Sequence, residues 1–464
     1  MVKKSLRILS LILVFVMAFS LTSFAVPNTN ASTAFDQKVL ARIDTRKALE
    51  HIKYLSETIG PRVAGTEEEK EAADYIKKQF EKLGYDVMVQ PFGIENVVSQ
   101  MTVDVFKDKL FRVNTATGSG YTDSNGITGQ LVNCGFGGSA EDFPAEVKGK
   151  IAFVQRGGGY AFALKAENAV KAGAVGVLMY NNAPGNVNPT LGEYTSPIPY
   201  VSLSLADGLE ILKAMQNENV TVNIKAKLFT QSQNVIATRR PHKTSNADIV
   251  YITAHYDSVP YAPGANDNAS GTAMLLEFAR ILKAYPIDKE IRFIACGAEE
   301  IGLDGSYYYV ENLSQNELDR SLANFNMDMI ATSYGPCNVL YADTTNGQPN
   351  LVTEAAEASG MRLGNNIIEV GTGSSSDHAP FGQTGIPAAC FIWGDEKGNL
   401  EPYYHQPEDT IKINISLDRL QQAGEMIGAA LYDVVRKNTP NLENSATRRS
   451  GVDNTTYSFG ISEW

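Results

Sequence analysis

Between residues 234 and 437, short apolar runs alternate with stretches whose apolar residues recur at helical spacing. The runs predict strands near residues 235, 250, 293, 326, 340 and 391. The stretches between them predict helices near residues 272–284, 305–313, 348–360 and 416–436. Such alternation is typical of βαβ units, so we expect an α/β fold with a mostly parallel central sheet covered on both faces.

Residues 36–113 have the pattern of an α-helical lead-in to this sheet. A first helix is predicted around residues 40–55. Thr66, followed three residues later by Glu69, predicts a capping box at the start of a second helix, and Gly84 is placed to end that helix. A strand should follow and join the sheet.

Residues 114–229 interrupt this pattern, because they are rich in glycine and in short apolar runs. The glycines at 157–159 are similar to a phosphate-binding loop, but they lack the Gly-Lys-Ser/Thr ending that holds a nucleotide and Mg²⁺. We therefore predict a structural turn there. The segment as a whole is predicted to be an inserted β-rich domain, within a domain built from residues 36–113 and 230–437.

The N-terminus has the features of a secretory signal peptide: a basic start, an apolar core at residues 8–19 and small residues at the cleavage position. We predict a signal peptide over residues 1–25, with Ala31 as a second cleavage position. The mature protein should then be secreted and extracellular, without membrane attachment, and the alternative is a retained signal anchor. Residues 438–464 are polar and aperiodic, which predicts a flexible tail.

Composition narrows the classes of partner. The chain has 464 residues, enough for two or three domains, with a formal net charge of -12 and a pI near 5.1. Nucleic acid or an anionic membrane surface would call for a basic face, so neither is expected as the main partner. The four cysteines are too few and too scattered for a disulfide framework or a thiolate zinc site, and a single disulfide is left open.

Side chains that commonly bind metals follow four of the predicted strands, at the strand ends where open α/β sheets build their sites. Imidazole nitrogens and carboxylate oxygens suit a borderline metal such as zinc. Taken singly, each residue has an ordinary interpretation as a solvated charge or a packed polar group. Their joint occurrence indicates a metal site made from His255, Asp257, Asp267, Glu299, Glu300, Asp328 and His405.

The same residues lie in sequence blocks that resemble the signature of the secreted bacterial two-zinc aminopeptidases, a family related to glutamate carboxypeptidase and transferrin-receptor-like proteins. The blocks follow the family's order, and their combination is highly specific. They are residues 255–257, 267–271, 299–306, 326–329 and 405–410. The inserted segment resembles the protease-associated (PA) domain of such proteins. The resemblance covers nearly all of residues 36–437.

The resemblance implies a zinc exopeptidase fold and two Zn²⁺ ions per chain. His255 and Asp328 would bind one ion, Glu300 and His405 the other, and Asp267 would bridge the two.

The resemblance also implies roles beside the metals. Glu299 would be the general base, and Asp257 would orient the site from behind it. The peptide bond after Asp267 would be cis. Asp377 and His378 would line the substrate pocket; a serine hydrolase is disfavoured for this histidine because no Gly-x-Ser-x-Gly elbow accompanies it.

The implied activity is removal of the N-terminal residue from peptides and proteins, by a water that zinc activates and from which Glu299 takes a proton. A carboxypeptidase or dipeptidase is the first alternative, and it would need an arginine clamp from residues such as Arg239, Arg240 or Arg362. A receptor-like relative without metals and a single-zinc glutaminyl cyclase are further alternatives. The complete set of metal-binding residues favours the aminopeptidase. The oligomeric state is left open.

Overall fold

The computed structural model of the protein describes residues 40–241, 246–364 and 367–436. The predicted signal peptide and tail lie outside these residues. The helices are α1 (Thr45–Lys53), continued by a π-helix (Tyr54–Ile59), α2 (Glu67–Lys82), α3 (Phe162–Lys171), α4 (Leu205–Ala214), α5 (Ala269–Leu282), α6 (Asp304–Glu311), α7 (Gln315–Arg320), α8 (Leu351–Arg362), α9 (His378–Gln383), α10 (Ile411–Asn414) and α11 (Leu417–Val435).

The strands are β1 (Asp86–Val103), β2 (Asn114–Thr115), β3 (Ile127–Asn133), β4 (Ile151–Gln155), β5 (Gly176–Tyr180), β6 (Tyr200–Leu203), β7 (Thr221–Arg239), β8 (Ile249–His255), β9 (Glu290–Cys296), β10 (Ser321–Met327), β11 (Val339–Thr344), β12 (Ile368–Thr372) and β13 (Ala388–Gly394). Each predicted strand and helix between residues 234 and 436 is present. The strand β12 was not predicted from the sequence.

Within the described residues the strands join in the order β12-β11-β13-β10-β8-β9-β7-β3-β4-β5-β6-β2, and β1 pairs with β7. The central neighbours β13, β10, β8 and β9 run parallel, whereas β11 is antiparallel to β13 and β7 is antiparallel to β9. The prediction of an α/β fold with a mostly parallel sheet is confirmed. Because the central strands are parallel, their carboxyl ends meet at one edge.

The strand β8 is buried along its whole length and supplies side chains to both faces of the sheet. Val250, Ile252 and Ala254 pack into the core that includes α5 and α11. Ile249 and Tyr251 pack on the opposite face with residues of α6 and α9. Full burial of such apolar side chains is worth about 1.5–3 kcal/mol each. The prediction of helices on both faces is therefore confirmed.

The strands β1 and β7 form a long antiparallel pair that belongs to both parts of the molecule. The first part of β7 pairs with β3 in the insert, and its last part pairs with β9 in the central sheet. The predicted boundary at residues 229 and 230 therefore falls inside one continuous strand. The proposed domain limits remain predictions. At this limit, the strand β7 continues from one predicted domain into the other.

The predicted capping box at α2 is half correct. The Thr66 hydroxyl accepts a hydrogen bond from the Glu69 amide, as expected. The Glu69 carboxylate, however, does not return to Thr66: it accepts hydrogen bonds from the Gly65 amide at 2.8 Å and from the Ser232 hydroxyl at 2.6 Å. Glu69 is buried, and its pKa is raised to about 8 by that burial, with Asp257 adding to the effect. The sequence pattern alone gave no sign of this inward position.

The glycines at 157–159 have positive φ angles of 120°, 72° and 74°, as a turn requires. The carbonyl oxygens of Gln155 and Gly157 accept hydrogen bonds from the buried Lys165 ammonium, as does that of Phe136. The loop therefore serves to hold a lysine of its own domain.

All four cysteines are buried and carry free thiols. Over the part of the chain that the structure describes, no helix has the length and apolar character needed to cross a bilayer.

We expect Gly305→Ala to destabilise the protein. A methyl group at Gly305 would overlap the Gly297 carbonyl oxygen, so the start of α6 would have to move away from the turn that carries Glu299. Overpacking of this kind costs about 1–3 kcal/mol. Urea unfolding of the variant would measure the loss. Gly335→Ala is the control, because an added methyl group there has no neighbour within 4 Å; equal stability of the two variants would contradict the expectation.

Candidate metal centre

Adjacent parallel strands deliver the predicted metal-binding side chains to one edge of the sheet. His255 is the last residue of β8, Glu299 and Glu300 lie in the turn after β9, and Asp328 follows β10. Asp267 lies in the loop between β8 and α5. His405 comes from the loop after β13, which neighbours β10.

The two imidazoles lie on either side of Asp267. His255 Nε2 is 3.4 Å from Asp267 Oδ1 and 3.4 Å from Asp328 Oδ1. His405 Nε2 is 3.3 Å from Asp267 Oδ2 and 3.0 Å from Glu300 Oε2. Thus each oxygen of Asp267 faces one histidine, and a further carboxylate lies beside the Nε2 atom of each histidine, Asp328 for His255 and Glu300 for His405. The five residues predicted from the family resemblance as metal ligands are brought together.

Asp257 lies behind this cluster and is fully buried. Its Oδ1 is 3.5 Å from His255 Nδ1, and its two oxygens accept hydrogen bonds from the amides of Glu299 and Glu300, each at 3.2 Å. The amides can reach this carboxylate because Ala298, with φ 55°, reverses the chain after β9. Gly297 also lacks space for a side chain, since a Cβ would be 2.6 Å from the Gln233 carbonyl oxygen.

The loop of Asp267 and the loop of Asp328 are joined by buried hydrogen bonds. Asn268 Oδ1 accepts from the Met329 amide at 3.3 Å, and its Nδ2 donates to the Met327 carbonyl at 2.8 Å. Asn266 Oδ1 accepts from the Ala331 amide at 2.9 Å. The peptide bond between Asp267 and Asn268 is cis, as the family resemblance predicted.

The donor set fits a pair of divalent metal ions. His255, Glu299 and Asp328 form one group of donor atoms within 4.8 Å of one another, and His255, Asp267 and Glu300 form another. Among the described residues, the buried atoms His255 Nδ1, Glu300 Oε1 and Asp328 Oδ1 have no hydrogen-bond partner. Buried polar atoms without partners are costly. Imidazole and carboxylate donors together are those that zinc prefers.

The pKa shifts of the buried groups in this cluster also favour a bound cation. Burial raises the pKa of Glu299 well above its usual range; His255 opposes the shift, whereas Glu300 and Asp328 add to it. Burial would by itself lower the pKa of His255, but Glu299 and Asp328 raise it well above its usual value. The cluster therefore carries more negative charge than its surroundings stabilise, which a bound cation would relieve.

Comparisons with known proteins identify the family. The model of peptidase family M28 matches residues 234–431, and that of the PA domain matches residues 127–211. Aminopeptidase YwaD of Bacillus subtilis is 45% identical over 395 residues, which cover 84% of this chain and 85% of the relative. This chain belongs to peptidase family M28. The expected enzyme class, a peptidase, and the expected PA insert are thereby confirmed.

Solved structures agree with this assignment of the M28 peptidase. BSAP, a zinc aminopeptidase from Bacillus subtilis, matches with a TM-score of 0.71 and 43% identity, over 86% of this chain and 97% of that chain. The aminopeptidase from Aneurinibacillus sp. strain AM-1 matches with a TM-score of 0.62 and 35% identity, over 88% and 99%. The expected zinc exopeptidase fold is confirmed.

The segment that leads through Asp377 into α9, which begins at His378, lies against the cluster. Ser376 donates a hydrogen bond of 2.8 Å to Asp328 Oδ2. Asp377 and His378 are themselves 0% and 1% exposed, and His378 Nε2 lies 2.9 Å from the Gly373 carbonyl oxygen. Burial lowers the pKa of His378 to about 4, so its imidazole is neutral at neutral pH. Their role in the pocket wall of the M28 peptidase stays a prediction.

Two buried residues that support the site were not identified from the sequence. Asp409 accepts hydrogen bonds from the amides of Asn266 and Asp267, at 2.9 and 3.0 Å. Glu401 accepts from Asn266 Nδ2 at 3.2 Å. Asp409 lies in the block that begins with His405, so its place in a motif was a usable signal. Glu401 lies outside the blocks, and nothing in its neighbourhood along the chain marked it.

We expect Asp257→Asn to weaken zinc binding by about 10- to 100-fold, the usual loss when a group that orients metal-binding residues is removed. An asparagine cannot accept both the Glu299 and the Glu300 amide while also facing His255. Competition with a chromophoric chelator would measure the affinity. The control is Asp395→Asn, because Asp395 also accepts two backbone amides but lies in an exposed loop. Equal zinc affinity in the two variants would contradict this role of Asp257.

Proposed function

We propose that this M28 peptidase is a zinc aminopeptidase that removes the N-terminal residue from peptides and proteins. The observation that carries the proposal is the arrangement of His255 and His405 on opposite oxygens of Asp267, each beside a further carboxylate. Relatives that are named aminopeptidases and cover most of the chain support the same activity.

In this proposal the chain holds two Zn²⁺ ions. His255 and Asp328 would hold one, Glu300 and His405 would hold the other, and Asp267 would contribute to both. Zinc, when bound, supplies an activated water at neutral pH and polarises the carbonyl group to be cleaved.

Glu299 is proposed to move the proton. Its carboxylate lies 4.0 Å from His255 Nε2, and it is 9% exposed. A carboxylate beside the metal-binding residues can take a proton from water and then hold it for the leaving amine. Asp257 accepts a hydrogen bond from the Glu299 amide, and this contact orients the Glu299 side chain.

The carboxypeptidase alternative loses support because its candidate arginines are engaged elsewhere. Arg239 donates to the carbonyl oxygens of Leu282 and Tyr285, Arg240 pairs with Asp86, and Arg362 pairs with Asp433. The receptor-like alternative is disfavoured by the complete set of metal-binding residues. The single-zinc cyclase is disfavoured because both histidines have a carboxylate partner besides Asp267.

Export is part of the proposal. It depends on the signal peptide predicted over residues 1–25, which lie outside the described residues. In the mature protein the substrates would be extracellular peptides with a free N-terminus.

We expect Glu299→Gln to lose about 100- to 10,000-fold of kcat and to keep its zinc, because the amide cannot take up a proton but the metal-binding residues stay. Hydrolysis of a short peptide and metal content per chain would measure both. Glu396→Gln, at an exposed position, is the control. A kcat close to that of the unchanged enzyme would remove Glu299 as the proton carrier.

The free amine of the substrate supplies a separate test. The proposed enzyme should cut a free peptide and leave its N-acetylated form intact, since acetylation removes the charged amine. Cleavage of both forms at similar rates would instead favour a carboxypeptidase or an endopeptidase.

Removal of zinc should abolish the activity, and restoring about two equivalents per chain should recover it. Dialysis against a chelator, followed by titration with ZnCl₂, would measure the stoichiometry. Full recovery at one equivalent would favour the single-zinc alternative, and undiminished activity after dialysis would remove the zinc proposal altogether.

A further inference from the structure

Arg62 is a fully buried charged residue in the turn between the π-helix and α2. Its guanidinium donates five hydrogen bonds, and every acceptor is a backbone carbonyl oxygen. The acceptors are Tyr256 from Nε at 2.6 Å, Leu55, Gly60 and Pro263 from Nη1 at 3.0, 3.0 and 2.7 Å, and Gly264 from Nη2 at 3.0 Å. One planar group thus binds three separate stretches of chain.

Three of these acceptors lie in the loop that carries the metal-binding residues. Tyr256 directly precedes Asp257, and Gly264 precedes Asp267 by three residues. Gly264 has a φ of 63°, and a Cβ there would be 2.8 Å from Arg62 Nη2. A glycine is therefore needed for this carbonyl to approach the guanidinium so closely.

The backbone of Arg62 adds a second connection to the same loop. The Arg62 amide donates to Ser258 Oγ at 3.0 Å, and the Ser258 amide donates to the Arg62 carbonyl at 3.2 Å. Ser258 Oγ in turn donates to the Ala262 carbonyl at 3.3 Å. The loop from residue 256 to residue 264 is thereby fixed to Arg62 at residues 256 and 258 near its start and at residues 263 and 264 at its end.

The charge of Arg62 interacts electrostatically with carboxylates of the candidate metal cluster. Burial lowers its pKa to about 10, and the carboxylates of Asp257, Asp409, Asp267 and Glu300 oppose that decrease. The guanidinium therefore stays charged at neutral pH. A buried charge is costly, and among the hydrogen-bond partners described here Arg62 has no carboxylate. Its electrostatic compensation comes from the carboxylates of the metal cluster and their neighbours.

We propose that Arg62 is a positioning residue of the metal centre, which holds the loop from residue 256 to residue 264 so that Asp257 and Asp267 face the two histidines. The proposal deepens the zinc function proposed above and rests on it. A lysine cannot replace this arginine, because an ammonium group lacks the planar fork that reaches several carbonyl oxygens at once.

The test compares Arg62→Lys and Ser258→Ala with Arg239→Lys. Arg239 is a matched control, because it also donates to backbone carbonyl oxygens, those of Leu282 and Tyr285, away from the cluster. Zinc affinity would be measured by chelator competition, and amide hydrogen exchange would be followed in residues 256–268 of the zinc-free protein. We expect Arg62→Lys to weaken zinc binding about tenfold or more and to speed exchange in this segment.

Ser258→Ala should shift both readouts in the same direction by less, and Arg239→Lys should shift neither. Zinc affinity and exchange in Arg62→Lys that match those of Arg239→Lys would overturn the proposal. If Arg62→Lys does not fold, Ser258→Ala decides, and an unchanged result there would overturn it. If the unchanged protein itself binds no zinc, the zinc function fails, whereas the exchange measurement still reports whether Arg62 holds the loop.

Discussion

The carboxylate of Asp267, with one histidine at each oxygen, is the contact on which the rest of the site depends. Three separate supports fix its position. Asp409 accepts its backbone amide, Asn266 and Asn268 join its loop to the loop of Asp328, and Arg62 holds the segment that leads to it. Each support is buried, so water does not compete for these hydrogen bonds. A site that collects this many carboxylates in a protein interior needs such a rigid frame, since their mutual repulsion would otherwise separate them.

The parallel order of the central strands explains why the sequence revealed so much of this site. Apolar runs located β8, β9, β10 and β13, and the rule that ligands gather at the carboxyl ends of such strands placed His255, Glu300 and Asp328 together. The same argument from strand ends included Asp267 and His405, and the motif blocks then implied a role toward zinc for each of the five residues. The fold brings these five residues together, as the distances between their side chains show. Their roles toward zinc depend on the experiments above.

What the sequence could not reveal depends on long-range packing. Arg62 and Glu69 lie in a turn and at a helix start, where charged residues are ordinarily solvated. Only the folded chain places Arg62 beneath the loop from residue 256 to residue 264 and turns Glu69 toward Ser232. The strand β12 was missed since its pattern is short and weakly apolar, with Glu369 and Gly371 among its five residues. In each case the missing information was the partner, which lies far away along the chain.

The β1 and β7 pair has a consequence for any attempt to separate the insert from the catalytic sheet. Their ladder runs from Asp86 and Thr238 at one end to Val103 and Val222 at the other, with a register shift between Gly93 and Asn96. Excising residues 114–229 would leave the second half of β1 with no strand beside it and would expose a row of backbone amides and carbonyls to other chains. An exposed strand edge of that kind promotes aggregation. To avoid this, a deletion would have to remove the parts of both β1 and β7 that lie beyond the register shift. A tight turn at that point would then connect the shortened strands.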